Sequence, residues 1–258
     1  MLKGLYTAYT GMLNEQHRLD TLTNNLANAS TVGFKKEGAT SESFRDVLTV
    51  KIKDTSTNSY MNERIGRANP GVKIGENYTN YTQGSFRITD NTYDLALAGE
   101  GFFAIEFTNK AGETSTMYTR GGQFTLNRDG YLVTEDGDYV LDTQSRRIRV
   151  DTLQDAKIAD DGTITQNDVA VARIGLVDFE DYDYLEKYGE TYYRPVEGAR
   201  TTPATALIKS GYLEMSNVQV VSEMVNLIAI TRAYESNQKI IQTYDSSLEI
   251  AATQLGRV

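Results

Sequence analysis

The chain of 258 residues contains no cysteine and no tryptophan, and His17 is its only histidine. Without cysteine there is no disulfide framework, no thiolate metal site and no cysteine nucleophile. One histidine cannot build a histidine metal cluster within a chain, nor a Ser-His-Asp triad away from its own helix. Long apolar runs are missing as well. The stretch "NLIAI" (Asn226–Ile230) is among the longest, far short of the ~20 residues a membrane-spanning helix needs, so no membrane insertion is expected. The opening "MLKGLYTAYTGMLNEQ" has neither a continuous apolar segment nor a small-residue cleavage site. Any passage out of the cytoplasm is therefore expected to proceed without a cleaved signal peptide.

Positive charge is also scarce. The formal net charge is -9, which argues against a nucleic-acid partner, since such proteins carry a basic footprint. Residues 1–36 hold Lys3, Arg18, Lys35 and Lys36 against Glu15 and Asp20, a net of +2 that leaves -11 for the rest. That asymmetry is what a solvated surface gives.

What is present is helical at both ends and β in the middle. Leu5, Met12, Leu19 and Leu26 recur every seven residues, each preceded by three with Leu2, Tyr9, Gln16 and Thr23. This is an a/d heptad pattern, widened by Leu13 and Leu22. Near the other end Val220, Leu227, Tyr234, Ile241, Leu248 and Leu255 keep the same spacing, with Met224, Ile230, Tyr244 and Ala251 beside them. Ser216 or Asn217 suits the cap of that second helix. About 38 helical residues would span roughly 57 Å, far more than an ordinary globular helix. The expected fold class is α+β, with the long terminal helices forming a coiled-coil-like domain and a β-rich domain inserted between them.

The middle carries the turns of a β domain. "GGQFTLNRDGYLVTEDGDYVLD" predicts strands at Phe124–Leu126, Tyr131–Val133 and Tyr139–Leu141, separated by Asp129-Gly130 and Asp136-Gly137. Val169–Phe179 predicts another strand. "YTQGSFRIT" (Tyr81–Thr89) echoes "YTRGGQFTLN" (Tyr118–Asn127), as two hairpins of like design would. The chain thus divides into an N-terminal helix (1–35), an extended arm (36–76), a β-rich domain (77–205) and a C-terminal helix region (206–258). The arm contains the loop-like "KDTSTNSYMNERIGRANPG" (Lys53–Gly71).

Motifs for chemistry are thin. "GEGFF" (Gly99–Phe103) begins like a dinucleotide fingerprint, but Ala104 stands where the third glycine belongs, so a strand-turn is expected. "TLNRDGYLVTED" has Asn127, Asp129 and Gly130 in calcium-loop spacing, yet Thr125 opens it and Asp136 replaces the closing glutamate. No cofactor and no metal are expected. "DFEDYDYLEKYGE" (Asp178–Glu190) groups carboxylates, leaving a glycosidase-like pair open beside the reading as acidic surface. The 17 tyrosines fit sugar, peptide or subunit contacts alike.

The amides of "TLTNNLANASTVGFKK" (Thr21–Lys36) are unusual for a helix, because asparagine competes with the backbone for hydrogen bonds. Asn24, Asn25, Leu26, Ala27, Asn28, Thr31, Gly33, Phe34 and Lys35 resemble the signature of bacterial flagellar rod and hook proteins. "GYLEMSNVQVVSEMVNLIAITRAYESNQKIIQTYD", through Gly211, Glu214, Asn217, Glu223, Tyr234 and Asn237 among others, resembles the matching C-terminal signature. "YDLALAGEGFFAI" and "YTRGGQFTLNRDGYLV" resemble the central region of the same family. Length and the Gly-Phe-Phe region resemble its basal-body rod members, the distal rod above all, more than the longer hook protein.

The resemblance implies a structural protein rather than an enzyme, in a helical homopolymer that forms a hollow drive shaft from motor to hook. It implies partners among the other rod and hook proteins and the flagellar export apparatus, and a place in the basal body across the cell envelope. The subunit contacts expected are Leu5, Met12, Leu19, Asn24, Asn25, Leu26, Asn28, Val220, Leu227, Tyr234, Asn237, Ile241, Leu248 and Leu255. The alternatives are a proximal-rod or hook-type member, a wall hydrolase using paired carboxylates, and a β scaffold whose helices merely trimerise.

Overall fold

The computed structural model describes residues 2–51, 63–110 and 112–255, the side chains of 2, 48–51, 63–65, 254 and 255 excepted. Part of the loop-like stretch read within the arm, residues 53–62, lies outside the described residues. Two helices flank a large β-rich region, an α+β chain: α1 spans Leu2–Ala27 and α2 spans Val220–Leu255. At 36 residues α2 is about 54 Å long.

The chain forms two compact units. One joins Met1–Leu26, Glu37–Asn80 and Gln219–Val258; the other joins Ala27–Lys36 and Tyr81–Val218.

In the first unit α1 and α2 run antiparallel. A Cβ added at Gly4 would fall on the Tyr244 phenol, and one at Gly11 would lie 3.1 Å from the Asn237 amide. Seven residues forward on α1 thus match seven residues back on α2. The half-buried residues of α2 follow this seam at Leu227, Tyr234, Asn237, Ile241 and Tyr244. On α1 one expected row changes. Leu5, Met12, Leu19 and Leu26 are half-buried, but Tyr9, Gln16 and Thr23 are exposed, and Gly4, Ala8 and Gly11 turn inward instead. The reason is steric: glycine costs helix stability but admits a large side chain from the neighbouring helix.

The described residues of 37–79 form two antiparallel strand pairs that make a ribbon. Glu37–Ser43 pairs antiparallel with Val72–Thr79, and Val47–Lys51 with Glu63–Ala68. The ribbon is tied to α1. Ser41 donates its hydroxyl to Asn14 at 3.0 Å, and Thr7 donates to the Pro70 carbonyl at 3.0 Å.

The second unit is built on a nine-stranded sheet whose longest pair is Phe102–Thr108 with Thr114–Thr119. Successive side chains of a strand face opposite ways. Accordingly Phe103 enters a core with Leu95, Leu97, Phe124, Leu132, Ile148, Ile164 and Ile208, while Phe102 enters an aromatic core with Phe179 and Tyr193. The two phenylalanines of "GEGFF" therefore serve two cores. The Asp-Gly turns form as their sequence implies, with Gly130 at φ 78° and Gly137 at φ 94° between Phe124–Leu126, Leu132–Thr134 and Tyr139–Val140.

Three local expectations are corrected. Val169–Phe179 is two strands, Val169–Arg173 and Leu176–Phe179, because Gly175 fits against the Asp142 carbonyl and Ile174 bridges Asp142. The echo of Tyr81–Thr89 and Tyr118–Asn127 does not make like hairpins. Phe86–Ile88 pairs with the distant Tyr212–Glu214, whereas Phe124–Leu126 pairs with its neighbour. Finally, α2 begins at Val220 behind Gln219, whose carbonyl accepts from the Glu223 N–H, so neither Ser216 nor Asn217 is its cap. Asn217 is engaged elsewhere, as described below.

Candidate assembly interface

The asparagine-rich segment closes α1 and then docks. Asn25 is fully buried. Its Oδ1 accepts from the Glu37 N–H at 2.9 Å and its Nδ2 donates to the Glu37 carbonyl at 2.7 Å, so one amide mimics a strand partner. Asn28, also buried, accepts from the Thr31 hydroxyl at 3.0 Å in the turn that follows. Asn24 is exposed. Of the three amides of this segment expected as contacts, Asn25 and Asn28 hold the chain's own turn.

Past that turn, the N-terminal and C-terminal signature segments lock together. The Gly33 N–H donates to the Glu214 carbonyl at 2.8 Å, and the Lys36 N–H donates to Asn217 Oδ1 at 2.8 Å. Asn217 Nδ2 in turn donates to the Thr82 carbonyl at 3.0 Å. Between these bonds lies a buried ionic cluster. Lys35 Nζ is 2.7 Å from Glu214 Oε1, and Arg120 Nη1 is 3.4 Å from Glu214 Oε2, with side chains only 1 %, 3 % and 0 % exposed for Lys35, Arg120 and Glu214. Lys35 also donates to the Thr82 carbonyl at 2.9 Å, and Glu214 accepts the Gly84 N–H at 2.9 Å. Arg120 stands 5.3 Å from the centre of the Phe102 ring. Burial pulls the Lys35 amine below its ordinary range, and the Glu214 carboxylate opposes that pull. Sequence reading missed this cluster. The alternation Leu213-Glu214-Met215 reads as a half-buried strand whose charge faces water, so no local signal marks the burial of Glu214.

The remaining expected contact residues lie on the helices. Leu5, Met12, Leu19, Leu26, Leu227, Tyr234, Asn237 and Ile241 are half-buried, Val220 and Leu248 are exposed, and the side chain of Leu255 is outside the described residues. Further apolar residues are exposed: Tyr6, Tyr9 and Leu13 on α1, and Val221, Met224, Val225 and Ile228 on α2.

Several carboxylates of Asp178–Glu190 have structural partners. Asp181 accepts from the Asp183 N–H and caps a short 3-10 turn, Asp178 accepts from the Tyr182 hydroxyl at 2.9 Å, and Glu186 pairs with Arg194 at 2.6 Å on the surface. Burial, reinforced by Asp178, pushes the Tyr182 phenol well above its ordinary range.

Three family models match the chain: "Flagella basal body rod protein" over residues 5–35, "Flagellar hook protein FlgE/F/G D1 domain" over 96–166, and "Flagellar basal body rod FlgEFG protein C-terminal" over 209–255. The flagellar basal-body rod protein FlgG of Bacillus subtilis is 36 % identical over 268 residues, covering 96 % of this chain and 97 % of the relative. The chain belongs to the flagellar basal-body rod protein family. Another relative, the rod protein FlgF of Caulobacter vibrioides, is 36 % identical over 260 residues and covers all of both chains. The hook-basal body complex protein FlhO of Bacillus subtilis is 32 % identical over 272 residues, again across all of both.

As a rod-family protein the chain is a structural component of the flagellar basal body, associated with other flagellar components. Among the described residues no helix is long and apolar enough to cross a membrane. Both ends of the ionic cluster fall in matched segments, Lys35 in the first and Glu214 in the last.

Proposed function

We propose that this rod-family protein polymerises helically into a hollow shaft that transmits torque from motor to hook. In this reading it is not an enzyme, and it reaches its place through the flagellar export apparatus without loss of a signal peptide. The helices of 1–35 and 206–258 pack coiled-coil-like into an inner tube, 36–76 form an extended arm, and 77–205 form the outer β layer. Its neighbours are further copies and the other rod and hook proteins. Assignment to the distal rod rests on the length and Gly-Phe-Phe resemblance, since relatives named FlgG and FlgF match equally at 36 %.

The observation that carries the proposal is the antiparallel pairing of α1 and α2 with apolar side chains left over on the outside. Leu5, Met12, Leu19, Leu26, Leu227, Tyr234, Asn237 and Ile241 form the seam, and Asn24, Val220 and Leu248 add outward contacts. Asn25 and Asn28 support assembly through the turn they hold, and Leu255 extends the α2 row.

Replacing Leu227 or Ile241 by aspartate tests it. A charge forced into that packed seam costs several kcal/mol. The expected result is loss of polymers with the Tyr81–Val218 unit still folded, read by electron microscopy of rods and by near-ultraviolet circular dichroism. Rods of normal length from either variant would remove the seam from the assembly contact.

A further inference from the structure

Tyr192 opens the strand Tyr192–Pro195, and its hydroxyl meets a turn on the other side of the nine-stranded sheet. Tyr192–Pro195 pairs with Thr114–Thr119, and that strand pairs with Phe102–Thr108. Only then come Tyr139–Val140 and Leu132–Thr134. Three strand spacings amount to about 14 Å on a flat sheet. The tyrosine packs with Ile105, Met117 and Phe107 of the intervening strands, and its hydroxyl ends among Thr134, Asp136 and Asp138. It therefore ties together parts of the sheet that no backbone ladder joins directly.

Three oxygens surround the phenol oxygen. Asp138 Oδ2 is at 2.9 Å, Asp136 Oδ2 at 3.2 Å and Thr134 Oγ1 at 3.2 Å. A phenol has one hydrogen to donate, and an ionised carboxylate only accepts. With Thr134 donating to the phenol and the phenol donating to Asp138, Asp136 Oδ2 faces the phenol oxygen with no hydrogen between them. The cluster is one hydrogen short. One proton on Asp138 completes it: Asp138 and Thr134 then both donate to the phenol, and the phenol donates to Asp136. The Asp138 N–H already donates to Thr134 Oγ1 at 3.2 Å, which closes the ring of bonds.

Burial favours that proton. It raises the Asp138 carboxyl above the ordinary 3.8; the bonds from Tyr192 and the Thr108 N–H oppose the rise, and the charge of Asp136 adds to it. Burial also holds the Tyr192 phenol well above its ordinary range, so it keeps its own hydrogen. The other charged groups nearby are Glu135 in the same turn, with Glu190 and Arg87. These three line one cavity of about 400 Å³ with Thr134, Asp136 and Tyr192. Phe102–Thr108 brings one carboxylate, Glu106, which is paired with Arg147, and Thr114–Thr119 brings none. Asp136 is exposed, so it has water to turn to when the hydrogen is missing.

We propose that the Asp136–Tyr192–Asp138 cluster is a proton-operated latch: uptake of one proton fastens the Thr134–Asp138 turn across the sheet, and its loss frees Asp136 and slackens the turn. The latch belongs to the Tyr81–Val218 unit and stands apart from the polymer reading. Its sign follows from the raised carboxyl. Between 3.8 and the raised value the folded chain holds a proton that the unfolded chain has lost, so this contribution to stability falls as pH rises through that window.

Carbon-13 NMR of the carboxyl groups and hydrogen exchange over the Thr134–Leu141 peptide test it in the full chain. In the wild type, Asp138 is expected to titrate above 3.8. The turn is expected to exchange roughly two- to twelvefold faster at neutral pH than below that midpoint, after correction for intrinsic rates, which is the weight of one hydrogen bond. Asp136→Asn supplies the missing hydrogen from its amide and removes a like charge. It is expected to move Asp138 back toward 3.8 and to keep the turn protected at neutral pH. Tyr192→Phe keeps the packing on Ile105 and Met117 but removes the hub, and is expected to leave the turn fast at both pH values. The proposal is overturned if Asp138 titrates at or below 3.8, if wild-type exchange ignores pH, or if the pH dependence survives in Asp136→Asn or Tyr192→Phe. Loss of the dependence in Glu135→Gln or Glu190→Gln, with Asp136→Asn unchanged, would put the proton on the cavity rim and equally overturn it.

Discussion

Glu214→Gln is expected to lower stability by about 3–5 kcal/mol, the cost of breaking a buried ion pair from one side. In a chain of this size that is a fall in Tm of roughly 6–20 °C. The asymmetry of the cluster makes the estimate specific. Glu214 is one carboxylate against two cations, Lys35 and Arg120, all of them nearly sealed from water. Glutamine keeps the shape and can still accept from the Gly84 N–H, but it leaves two like charges buried with no counter-ion. Lys35→Met should cost less, because Glu214 retains Arg120 and the Gly84 N–H. The pH dependence gives a second reading. Below its lowered value Lys35 is protonated in both states, and the folded state bears the burial penalty. Between that value and the ordinary 10.5 the unfolded chain binds more protons, so stability rises with pH across the window. Removing the Glu214 charge should pull the amine down further and steepen that alkaline rise. Urea titrations of the three proteins across alkaline pH measure both effects. A loss under about 1 kcal/mol for Glu214→Gln would mean that water reaches the cluster and that the lock is weak.

Gly33→Ala is the second large effect, expected to cost about 3 kcal/mol or more. Two separate terms add. Gly33 has φ 71°, where a Cβ costs about 1–2 kcal/mol. The added carbon would also meet main chain rather than a movable side chain: Gly121 N, Arg120 C at 2.5 Å and Gly121 Cα at 2.6 Å. Overpacking of that kind typically costs about 1–3 kcal/mol. Gly137→Ala supplies the control. Its φ is 94° but nothing lies within 4 Å of the added carbon, so only the conformational term applies. The difference between the two variants in thermal unfolding isolates the close approach. Equal losses would show that the signature turn and the Arg120–Gly121 backbone do not touch in solution.

Much of the architecture was legible because it is locally encoded. Seven-residue spacing marked both helices, and Asp129-Gly130 and Asp136-Gly137 marked their hairpins through backbone angles that glycine alone adopts freely. The inward row of α1 was harder. Hydrophobicity points to Tyr9, whereas packing selects Gly4 and Gly11, which have no hydrophobic signal and act by what they let in. The ribbon of Glu37–Ser43 and Val72–Thr79 escaped because "EGATSES" is largely polar, without the alternation that betrays a half-buried strand. Pairings such as Leu95–Ala98 with Leu207–Ser210 have no local cause at all. The ionic cluster was hidden for a different reason. Lysine, arginine and glutamate read as surface until their partners, far apart in the chain, are seen together.

The distance between those partners sets a clock. Lys35 and Glu214 are 179 residues apart, and the strands that complete the β unit, Leu207–Ser210 and Tyr212–Glu214, come after nearly everything they pair with. At 5–20 residues per second, roughly 10–40 s of synthesis separates the two halves of the lock. During that interval the leading signature lacks its bonds to Glu214 and Asn217, and the core cannot be sealed, however favourable its final packing. A chain whose closing piece is made last stays threadable for most of its birth, and becomes committed to its shape only near the end.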